Sequence, residues 1–181
     1  MKNILQPDFQ YESLQSIKAQ DLLAAGIRGL LLDLDNTITP WNDRSLTQGV
    51  KDWFQEIKEH DIKACIVSNN RRPERVSAVA DVLGIFCVYQ AAKPRKKAFL
   101  KGLRTLGLDK SEVAVVGDQI FTDVLGGNRL GIKTILITPI DEREFAGTKI
   151  LRLLERLVGR KPGYIRSLAR QTVCRQDYYE K

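Results

Sequence analysis

The most informative stretch of this 181-residue sequence is Gly29-Leu30-Leu31-Leu32-Asp33-Leu34-Asp35-Asn36-Thr37. Apart from Asp33, residues 29–34 are apolar on both faces of an extended chain, which is typical of a strand buried in a parallel sheet. Residues 36–42 have the composition of a turn. The stretch therefore predicts a buried strand that ends in two carboxylates, Asp33 and Asp35.

Similar apolar strands alternate with helices along the rest of the chain. Further strands are predicted at residues 62–67, 85–89, 113–116 and 134–137, and helices at 13–25, 46–60, 73–83, 95–106, 121–130 and 149–158. The alternation predicts an α/β fold, a Rossmann-like three-layer sandwich with a five-stranded parallel sheet. Ligands of such folds bind beyond the carboxyl ends of the strands. We therefore expect Asp33, Asp35, Ser68 and Asp118 to lie at one edge of the sheet.

Asp33 and Asp35 can both lean toward one site as the chain turns after the strand. Burying two carboxylates together is costly unless a cation or a substrate compensates for their charge. One carboxylate could attack phosphorus, while the other protonates the leaving oxygen and later deprotonates a water molecule. A solvated loop with a helix-capping aspartate is the alternative interpretation of this motif taken alone.

A second acidic cluster, Gly117-Asp118-Gln119-Ile120-Phe121-Thr122-Asp123, also follows an apolar strand. Carboxylates that converge from two strands form a hard oxygen site suited to Mg²⁺. Helix capping could explain Asp118 alone, but it does not explain all of the carboxylates together. We therefore expect Mg²⁺ as a cofactor.

Two weaker signals suggest an anion site. Ser68-Asn69-Asn70 offers a hydroxyl and backbone amides at a helix N-terminus. Lys93 precedes Pro94, which favours an extended backbone there, and its ammonium could neutralise phosphate charge. An ordinary helix cap and an ordinary surface lysine are the respective alternatives.

Together and in this order, these motifs closely resemble those of the haloacid dehalogenase (HAD) superfamily phosphatases. The resemblance covers residues 28–137 and rests on four motifs: Asp-x-Asp-x-Thr at 33–37, Ser-Asn at 68–69, Lys-Pro at 93–94 and Gly-Asp-x-x-x-x-Asp at 117–123. It implies a HAD-like phosphatase domain over residues 1–158, followed by a basic tail at 159–181. It also implies a Mg²⁺-dependent reaction through an aspartyl-phosphate intermediate.

The resemblance implies a role for each matched carboxylate. Asp33 is expected to be the nucleophile and a metal ligand. Asp35 is expected to act as general acid and then as general base, with its backbone carbonyl on the metal. Asp118 is expected to bind the metal directly, and Asp123 directly or through water.

The remaining motif residues are expected to handle the phosphate. By resemblance, Thr37 supports the loop that surrounds the phosphate and Ser68 binds the phosphate. Asn69 is expected to assist through its backbone amide, and Lys93 to stabilise the phosphoryl charge during catalysis. Phosphoryl transfer requires mainly positioning and charge neutralisation, and this set of residues provides both.

The spacing of the motifs limits the substrate. Superfamily members admit small metabolites beneath a cap domain, inserted after the first motif or between the second and third. Here the gap from Asp35 to Ser68 has room for a flap and one helix, and the gap from Ser68 to Lys93 for one helix and one strand. We therefore expect no cap domain. An uncapped site tolerates substrates that are mounted on a protein, a nucleic acid or a membrane.

The flanking sequence resembles the capless (class III) YqeG-like branch, which includes mitochondrial-type phosphatidylglycerophosphate phosphatases. Residues 26–29, residues 39–41 and the basic last helix carry this resemblance. It implies that phosphatidylglycerophosphate is cleaved to phosphatidylglycerol. Trp41, Arg71 and Arg72 are then candidates to contact substrate or lipid. Packing on the core explains Trp41 equally well, and solvated helix ends explain the two arginines equally well.

The net charge of +7 arises from one segment. Residues 149–175 contain one acidic residue, Glu155, and eight basic ones: Lys149, Arg152, Arg156, Arg160, Lys161, Arg166, Arg170 and Arg175. The helix at 149–158 fits the closing helix of the fold, packed on its own sheet. Its cationic face and the tail at 159–181 would also suit an anionic bilayer, at ~1 kcal/mol per basic residue near the surface.

Residues 1–20 are too polar for a signal peptide, and no uncharged apolar run approaches the length of a membrane span. We therefore expect a cytoplasmic protein, peripheral on the inner face of a membrane if its substrate is a phospholipid. The three scattered cysteines, Cys65, Cys87 and Cys174, are expected to be reduced thiols.

Several other functions fit the sequence less well. A phosphatase for soluble phosphomonoesters, such as nucleotides or sugar phosphates, is the main alternative. A non-catalytic HAD-fold binding protein is expected to lack Asp33 or Asp35, and both are present. The single histidine, His60, has no partner for histidine-based catalysis. Basic and aromatic residues are not interleaved, so no nucleic-acid partner is expected. Nothing in the sequence indicates an oligomeric state.

Overall fold

Residues 3–141 are described by a computed structural model and form a parallel sheet covered by helices on both faces. In this part of the chain the strands are β1 (Phe9–Tyr11), β2 (Gly29–Leu32), β3 (Lys63–Val67), β4 (Phe86–Val88), β5 (Val113–Gly117) and β6 (Lys133–Ile137). They lie in the order β1-β6-β5-β2-β3-β4. The helices are α1 (Ala19–Ala24), α2 (Gln48–Glu59), α3 (Pro73–Leu83), α4 (Lys96–Leu106), a π-helical turn (Ile120–Val124) and α5 (Leu125–Asn128), with 3₁₀ turns at Leu14–Ser16 and Lys110–Glu112. The predicted α/β class is confirmed.

The sheet of residues 3–141 has six strands, whereas five were predicted. The additional strand is β1, which pairs in parallel with β6 at the edge of the sheet. It is three residues long, and its middle residue, Gln10, is only half-buried between buried Phe9 and Tyr11. The prediction rested on continuous apolar runs. A short edge strand with alternating burial lacks such a run, and so β1 was missed.

The predicted helix at 13–25 was wrong, because Ile17 divides this segment. Ile17 adopts an extended backbone, with φ −90° and ψ 108°, between the 3₁₀ turn and α1. Its carbonyl oxygen accepts a hydrogen bond of 2.7 Å from the indole Nε1 of buried Trp53 on α2. This tertiary contact replaces the helical hydrogen bond that the local sequence would favour.

The hydrophobic core has one layer on each face of the sheet. On one face α1, α2 and α3 pack against the sheet through residues such as Leu22, Phe54 and Val79. On the other face α4 packs through Ala98 and Phe99 against β2, β3 and β5. The three-layer arrangement predicted from the sequence is therefore present.

Neither position at which a cap domain was considered contains one. Between Asp35 and Ser68 the chain forms a loop at residues 36–47, then α2 and β3. Between Ser68 and Lys93 it forms α3 and β4 with their connections. We call residues 36–47 the flap. Within residues 3–141, no helix has the length and apolar character needed to cross a membrane.

Two of the predicted thiols lie in the described residues. Cys65 is buried and Cys87 is half-buried, and both are free. Burial raises the pKa of Cys65 to about 12, so this thiol is unreactive at neutral pH. The predicted helix at 149–158, the basic tail at 159–181 and Cys174 lie outside the described residues.

Candidate active site

The predicted site residues converge at the carboxyl edge of the sheet. Asp33 directly follows β2, and its backbone N–H donates to Val116 of β5 at 2.9 Å. Asp118 directly follows β5, and Ser68 directly follows β3. Because β2 lies between β3 and β5 in the sheet, the chain delivers these side chains from three adjacent strands to one place.

Three buried carboxylates form the centre of this site. Asp33, Asp118 and Asp123 each offer an oxygen within 4.8 Å of the others, and they are 7%, 0% and 1% exposed. Asp123 comes from the π-helical turn, where its carboxylate accepts from the Gln119 backbone N–H at 3.3 Å and from the Thr122 hydroxyl at 3.2 Å. Clustered carboxylate oxygens are the ligands that hard divalent cations prefer, so the donor set fits a metal site.

Lys93 is the buried cation of the site. Its Nζ donates to Asp33 Oδ1 at 2.6 Å and to Asp123 Oδ1 at 2.7 Å. The Asn69 side chain fixes the backbone of Lys93, because its Oδ1 accepts from the Lys93 N–H at 2.7 Å and its Nδ2 donates to the Lys93 carbonyl at 3.3 Å. The peptide bond from Lys93 to Pro94 is cis.

The electrostatics of the site favour an additional cation. Burial raises the pKa of Asp33 to about 7, against the lowering effect of the Lys93 charge, and Asp123 adds to the rise. Burial alone would lower the pKa of Lys93, but the charges of Asp123 and Asp33 raise it above its ordinary value. Lys93 therefore stays protonated. One ammonium cannot balance three carboxylates, and a divalent cation would remove the excess negative charge.

The Asp35 carboxylate does not belong to the three-carboxylate cluster. Its Oδ1 lies 2.8 Å from Arg75 Nη1 and accepts from the Asn42 backbone N–H at 3.0 Å. Its Oδ2 accepts from Asn70 Nδ2 at 3.1 Å. The side chain is 19% exposed, so Asp35 sits at the mouth of the site, between the flap and α3. A proton carrier for a bound substrate needs such a position.

Of the predicted phosphate-binding residues, Ser68 follows β3 beside this centre, and Thr37 lies in the flap. Ser68 is buried, and its Oγ accepts from the Asn70 backbone N–H at 3.1 Å, which leaves its own hydroxyl hydrogen to be donated. Thr37 is buried, and its Oγ1 has no hydrogen-bond partner among the described residues. Asn69 is exposed, and its side chain holds Lys93. Its predicted action through the backbone amide stays a prediction.

The sequence model of a known family, described as "Hydrolase: haloacid dehalogenase-like hydrolase", matches residues 19–131. This match covers more than half of the chain and includes every motif described above. The chain belongs to the haloacid dehalogenase-like hydrolase family. The family membership expected from the motifs is thereby confirmed.

Individual relatives of this HAD-like hydrolase agree with the family match. The Bacillus subtilis (strain 168) protein "Probable phosphatase YqeG" is 39% identical over 158 residues, which are 87% of this chain and 91% of that protein. The Arabidopsis thaliana "Phosphatidylglycerophosphate phosphatase 1, chloroplastic/mitochondrial" is 25% identical over 146 residues, 76% of this chain but 42% of that protein. A crystal structure of an uncharacterized Listeria monocytogenes serotype 4b protein has the same fold, with a TM-score of 0.54 and 24% identity over 72% of this chain and 99% of that one.

Gly117 is required for the carboxylate cluster of this HAD-like hydrolase. A Cβ atom at position 117 would overlap the side-chain carboxylate of Asp123. The close approach of strand β5 to the π-helical turn is therefore possible only with glycine. It explains why glycine precedes Asp118 in the motif.

We expect Gly117→Ala to displace Asp123, because the added methyl group cannot fit beside its carboxylate. Overpacking of this kind costs about 1–3 kcal/mol, and the displaced ligand should also weaken metal binding. Thermal melts with and without Mg²⁺ would measure both effects. Gly49→Ala is the matched control, since a Cβ there meets only the Gln15 side chain at 3.6 Å or more. An unchanged Mg²⁺ response in Gly117→Ala would contradict this account of the cluster.

Sequence reasoning missed one residue that contacts the site. Arg75 is 1% exposed and lies on the buried face of α3 beside Val76 and Val79. A signal was present in the sequence, because a charged residue on the apolar face of a helix needs a buried partner. The partner is Asp35, which sequence spacing alone could not reveal.

Proposed function

We propose that this protein is a Mg²⁺-dependent phosphomonoester hydrolase that works through an aspartyl-phosphate on Asp33. The observation that carries the proposal is the buried cluster of Asp33, Asp118 and Asp123 bridged by Lys93. Family membership supports a hydrolase, and the printed name of the Bacillus subtilis relative supports a phosphatase.

In the first half-reaction an Asp33 oxygen attacks phosphorus, and the bond from phosphorus to the leaving oxygen breaks. Lys93, already 2.6 Å from Asp33, neutralises negative charge on the transferring phosphoryl group. Ser68 is buried and has a hydroxyl hydrogen to donate to its oxygens, and Thr37 would support the loop beside it. Asn69 keeps Lys93 in place through its two hydrogen bonds to the Lys93 backbone.

Asp35 transfers the protons in both half-reactions. It donates a proton to the departing oxygen as the first bond breaks. It then accepts a proton from the water molecule that attacks phosphorus, which breaks the bond to Asp33 and releases inorganic phosphate. The partial exposure of Asp35 at the mouth of the site suits contact with both the leaving group and water.

Asp33, Asp118 and Asp123, with the Asp35 backbone carbonyl, would hold the Mg²⁺ ion. When bound, this ion supplies positive charge that offsets the charges of the carboxylates and of the phosphate. Mg²⁺ would suit a site that offers a few carboxylate oxygens.

For the substrate we propose phosphatidylglycerophosphate, which would be converted to phosphatidylglycerol. The uncapped site supports this choice, because neither gap between the motifs holds a domain that would exclude a membrane-borne substrate. The name of the Arabidopsis relative also supports it, although this chain spans 42% of that protein.

Exposed cations beside the site provide further support for an anionic surface as the location of the substrate. We call the following exposed residues the basic rim: Arg71, Arg72, Arg95, Lys96 and Lys97. Two hydrogen bonds link the loops that carry them, from Gln90 N–H to the Asn70 carbonyl at 3.2 Å and from Lys93 N–H to Asn69 Oδ1 at 2.7 Å. These cations lie at the N-termini of α3 and α4, where the helix dipoles add further positive charge. Anions would therefore be bound favourably beside the basic rim.

The direct test compares phosphate release from phosphatidylglycerophosphate vesicles with release from nucleotides and sugar phosphates. The account predicts the highest kcat/KM on the vesicles. A clear preference for a soluble ester would make the protein a phosphatase for soluble phosphomonoesters instead. No release from any ester, with Mg²⁺ bound, would favour a non-catalytic binding protein.

We expect neutralisation of the basic rim by Arg71→Gln, Arg95→Gln and Lys96→Gln to weaken vesicle binding by on the order of 100-fold at low salt. Each charge removed near an anionic bilayer costs ~1 kcal/mol of binding free energy. Added salt should likewise weaken the vesicle binding of the wild-type protein, because it screens the same attraction. The quantity to measure is the ratio of activity on vesicles to activity on a small soluble ester.

The control variant carries Arg28→Gln, Lys110→Gln and Arg129→Gln. These exposed residues precede β2, β5 and β6 at the opposite edge of the sheet, and the change in charge is the same. The control should keep the wild-type ratio. Equal ratios in the two variants would rule out the basic rim as a membrane contact. The same assay applies to Arg160, Lys161, Arg166 and Arg170 in the tail.

A further inference from the structure

Among residues 3–141, Arg75 is the most deeply buried cation to which no role has been assigned. It is 1% exposed and belongs to the buried face of α3. Burying an arginine is unfavourable unless its guanidinium group is fully paired. Its partners therefore indicate what the side chain is for.

Most of these partners lie on the flap. Arg75 Nη2 donates to Thr39 Oγ1 at 3.1 Å and to the Asp43 carbonyl at 2.5 Å, and it lies 3.5 Å from the Pro40 carbonyl. Arg75 Nε also donates to the Asp43 carbonyl, at 3.0 Å. The remaining arm, Nη1, forms an ion pair with Asp35 Oδ1 at 2.8 Å, although its N–H groups are not aligned to donate a hydrogen bond to that oxygen. One guanidinium group thus joins α3, the flap and the Asp35 carboxylate.

The orientation of the Asp35 carboxylate follows from this arrangement. Its other partners are the Asn70 side chain, at 3.1 Å, and the Asn42 backbone N–H, at 3.0 Å. Arg75 is the only charged one among these partners in the described residues, and its hydrogen bonds to the flap fix the guanidinium group that attracts the carboxylate. Asn42 in turn belongs to the flap that Arg75 holds. Removing Arg75 would therefore release Asp35 and the flap together.

We infer that Arg75 is a positioning residue that aims the Asp35 carboxylate at the leaving oxygen of the substrate. The inference rests on the proposed function, because it assigns Arg75 a part in the proton transfer from Asp35. When phosphorus bonds to Asp33, the electron pair of the broken bond stays on the leaving oxygen, and the Asp35 proton goes to that oxygen. A purely structural Arg75 would hold the flap with no effect on this proton transfer.

The test compares two esters that differ in their need for that proton. p-Nitrophenyl phosphate has a stable leaving anion and needs little protonation, whereas glycerol 3-phosphate has a poor leaving group. The quantity is kcat/KM, which covers the steps up to the first phosphoryl transfer. In Arg75→Met we expect kcat/KM for glycerol 3-phosphate to fall by at least ~10-fold more than that for p-nitrophenyl phosphate, since misplaced proton donors lose much of their effect.

Two further variants separate positioning from stability. Thr39→Val removes one flap contact of Arg75 but leaves the pair with Asp35, so it should keep the wild-type ratio between the esters. Arg75→Lys keeps the positive charge but can donate to fewer acceptors. It should therefore change the ratio of the two kcat/KM values less than Arg75→Met does. If Arg75→Met does not fold, the ratio is measured in Arg75→Lys, where a change is still expected.

A double variant completes the test. In the Asp35→Asn background, Arg75→Met should produce no further change in the ratio, because the proton donor is already gone. Equal losses on both esters in every foldable Arg75 variant would overturn the inference and leave Arg75 a structural residue. Wild-type protein that releases phosphate neither from these two esters nor from phosphatidylglycerophosphate vesicles would instead refute the proposed function, and the inference would fall with it.

Discussion

Asp33→Asn is expected to lower kcat by about 10⁴-fold or more on every substrate that the wild-type protein hydrolyses. The amide of asparagine cannot form the covalent intermediate. In the described part of the chain, no other carboxylate directly follows β2 and contacts Lys93, so none can replace Asp33. The fold should persist, because burial already raises the pKa of Asp33 to about 7 and a neutral side chain suits that site in the metal-free protein. Phosphate release and a thermal melt of the same preparation would check both expectations.

Asp81→Asn is the matched control for this prediction. Asp81 is an exposed carboxylate near the C-terminal end of α3, on the side of the sheet away from the site. The same chemical change there should leave turnover at the wild-type level. If purified Asp33→Asn protein kept wild-type activity, the nucleophile assignment would be wrong.

Removal of divalent metal is expected to abolish activity and to lower the melting temperature. Three carboxylates around one ammonium repel each other, and Mg²⁺ would relieve that repulsion in the folded state only. A ligand at 100 times its Kd stabilises by about 2.7 kcal/mol, which corresponds to roughly 5–10 °C for a domain of this size. Melts and assays in EDTA, and after Mg²⁺ is restored, would measure these changes.

Ca²⁺ should restore activity poorly, since it prefers more ligands at longer distances and would shift Asp33 from its line of attack. The matched pair of variants is Asp118→Asn, which should lose most of the Mg²⁺-induced rise in melting temperature, and Asp81→Asn, which should keep it. Full activity after exhaustive chelation would contradict a metal role for the carboxylate cluster.

The sequence predicted the parts of the fold and site that have strong local signals. The strands β2, β3 and β5 are continuous apolar runs, and each was placed to within about two residues. Because parallel strands end at a common edge, the positions of Asp33, Ser68 and Asp118 after these strands already implied that they meet. Lys93 lies among these residues, in ion pairs with Asp33 and Asp123, and its role at the phosphate stays a prediction.

What the sequence missed depends on tertiary contacts. The predicted helix at 13–25 is broken because the Ile17 carbonyl bonds to the Trp53 side chain, 36 residues away. The predicted helix at 121–130 begins instead as a π-helical turn, Ile120–Val124, and ends at Asn128. That wide turn lets Asp123 reach Lys93, and no local propensity signals it.

The contacts of Arg75 were missed for a similar reason. Its position on the apolar face of α3 was visible in the sequence, but its partners come from the flap and from Asp35, more than thirty residues earlier. The flap itself has turn composition and no periodicity, and so its path around the guanidinium group could not be predicted. Residues that contact a motif side chain are hard to find from sequence, because the motif residues alone already explain the chemistry.

Covalent phosphate on Asp33 is the central claim, and rapid acid quench during turnover tests it most directly. Protein mixed with Mg²⁺ and a labelled phosphomonoester would be quenched within the first turnover, digested, and the labelled peptide identified by mass spectrometry. The account predicts an acid-stable, hydroxylamine-sensitive acyl phosphate on the peptide that contains Asp33, formed at least as fast as the steady-state rate and absent from Asp33→Asn. Turnover with no protein-bound phosphate, or label on any other residue, would contradict it.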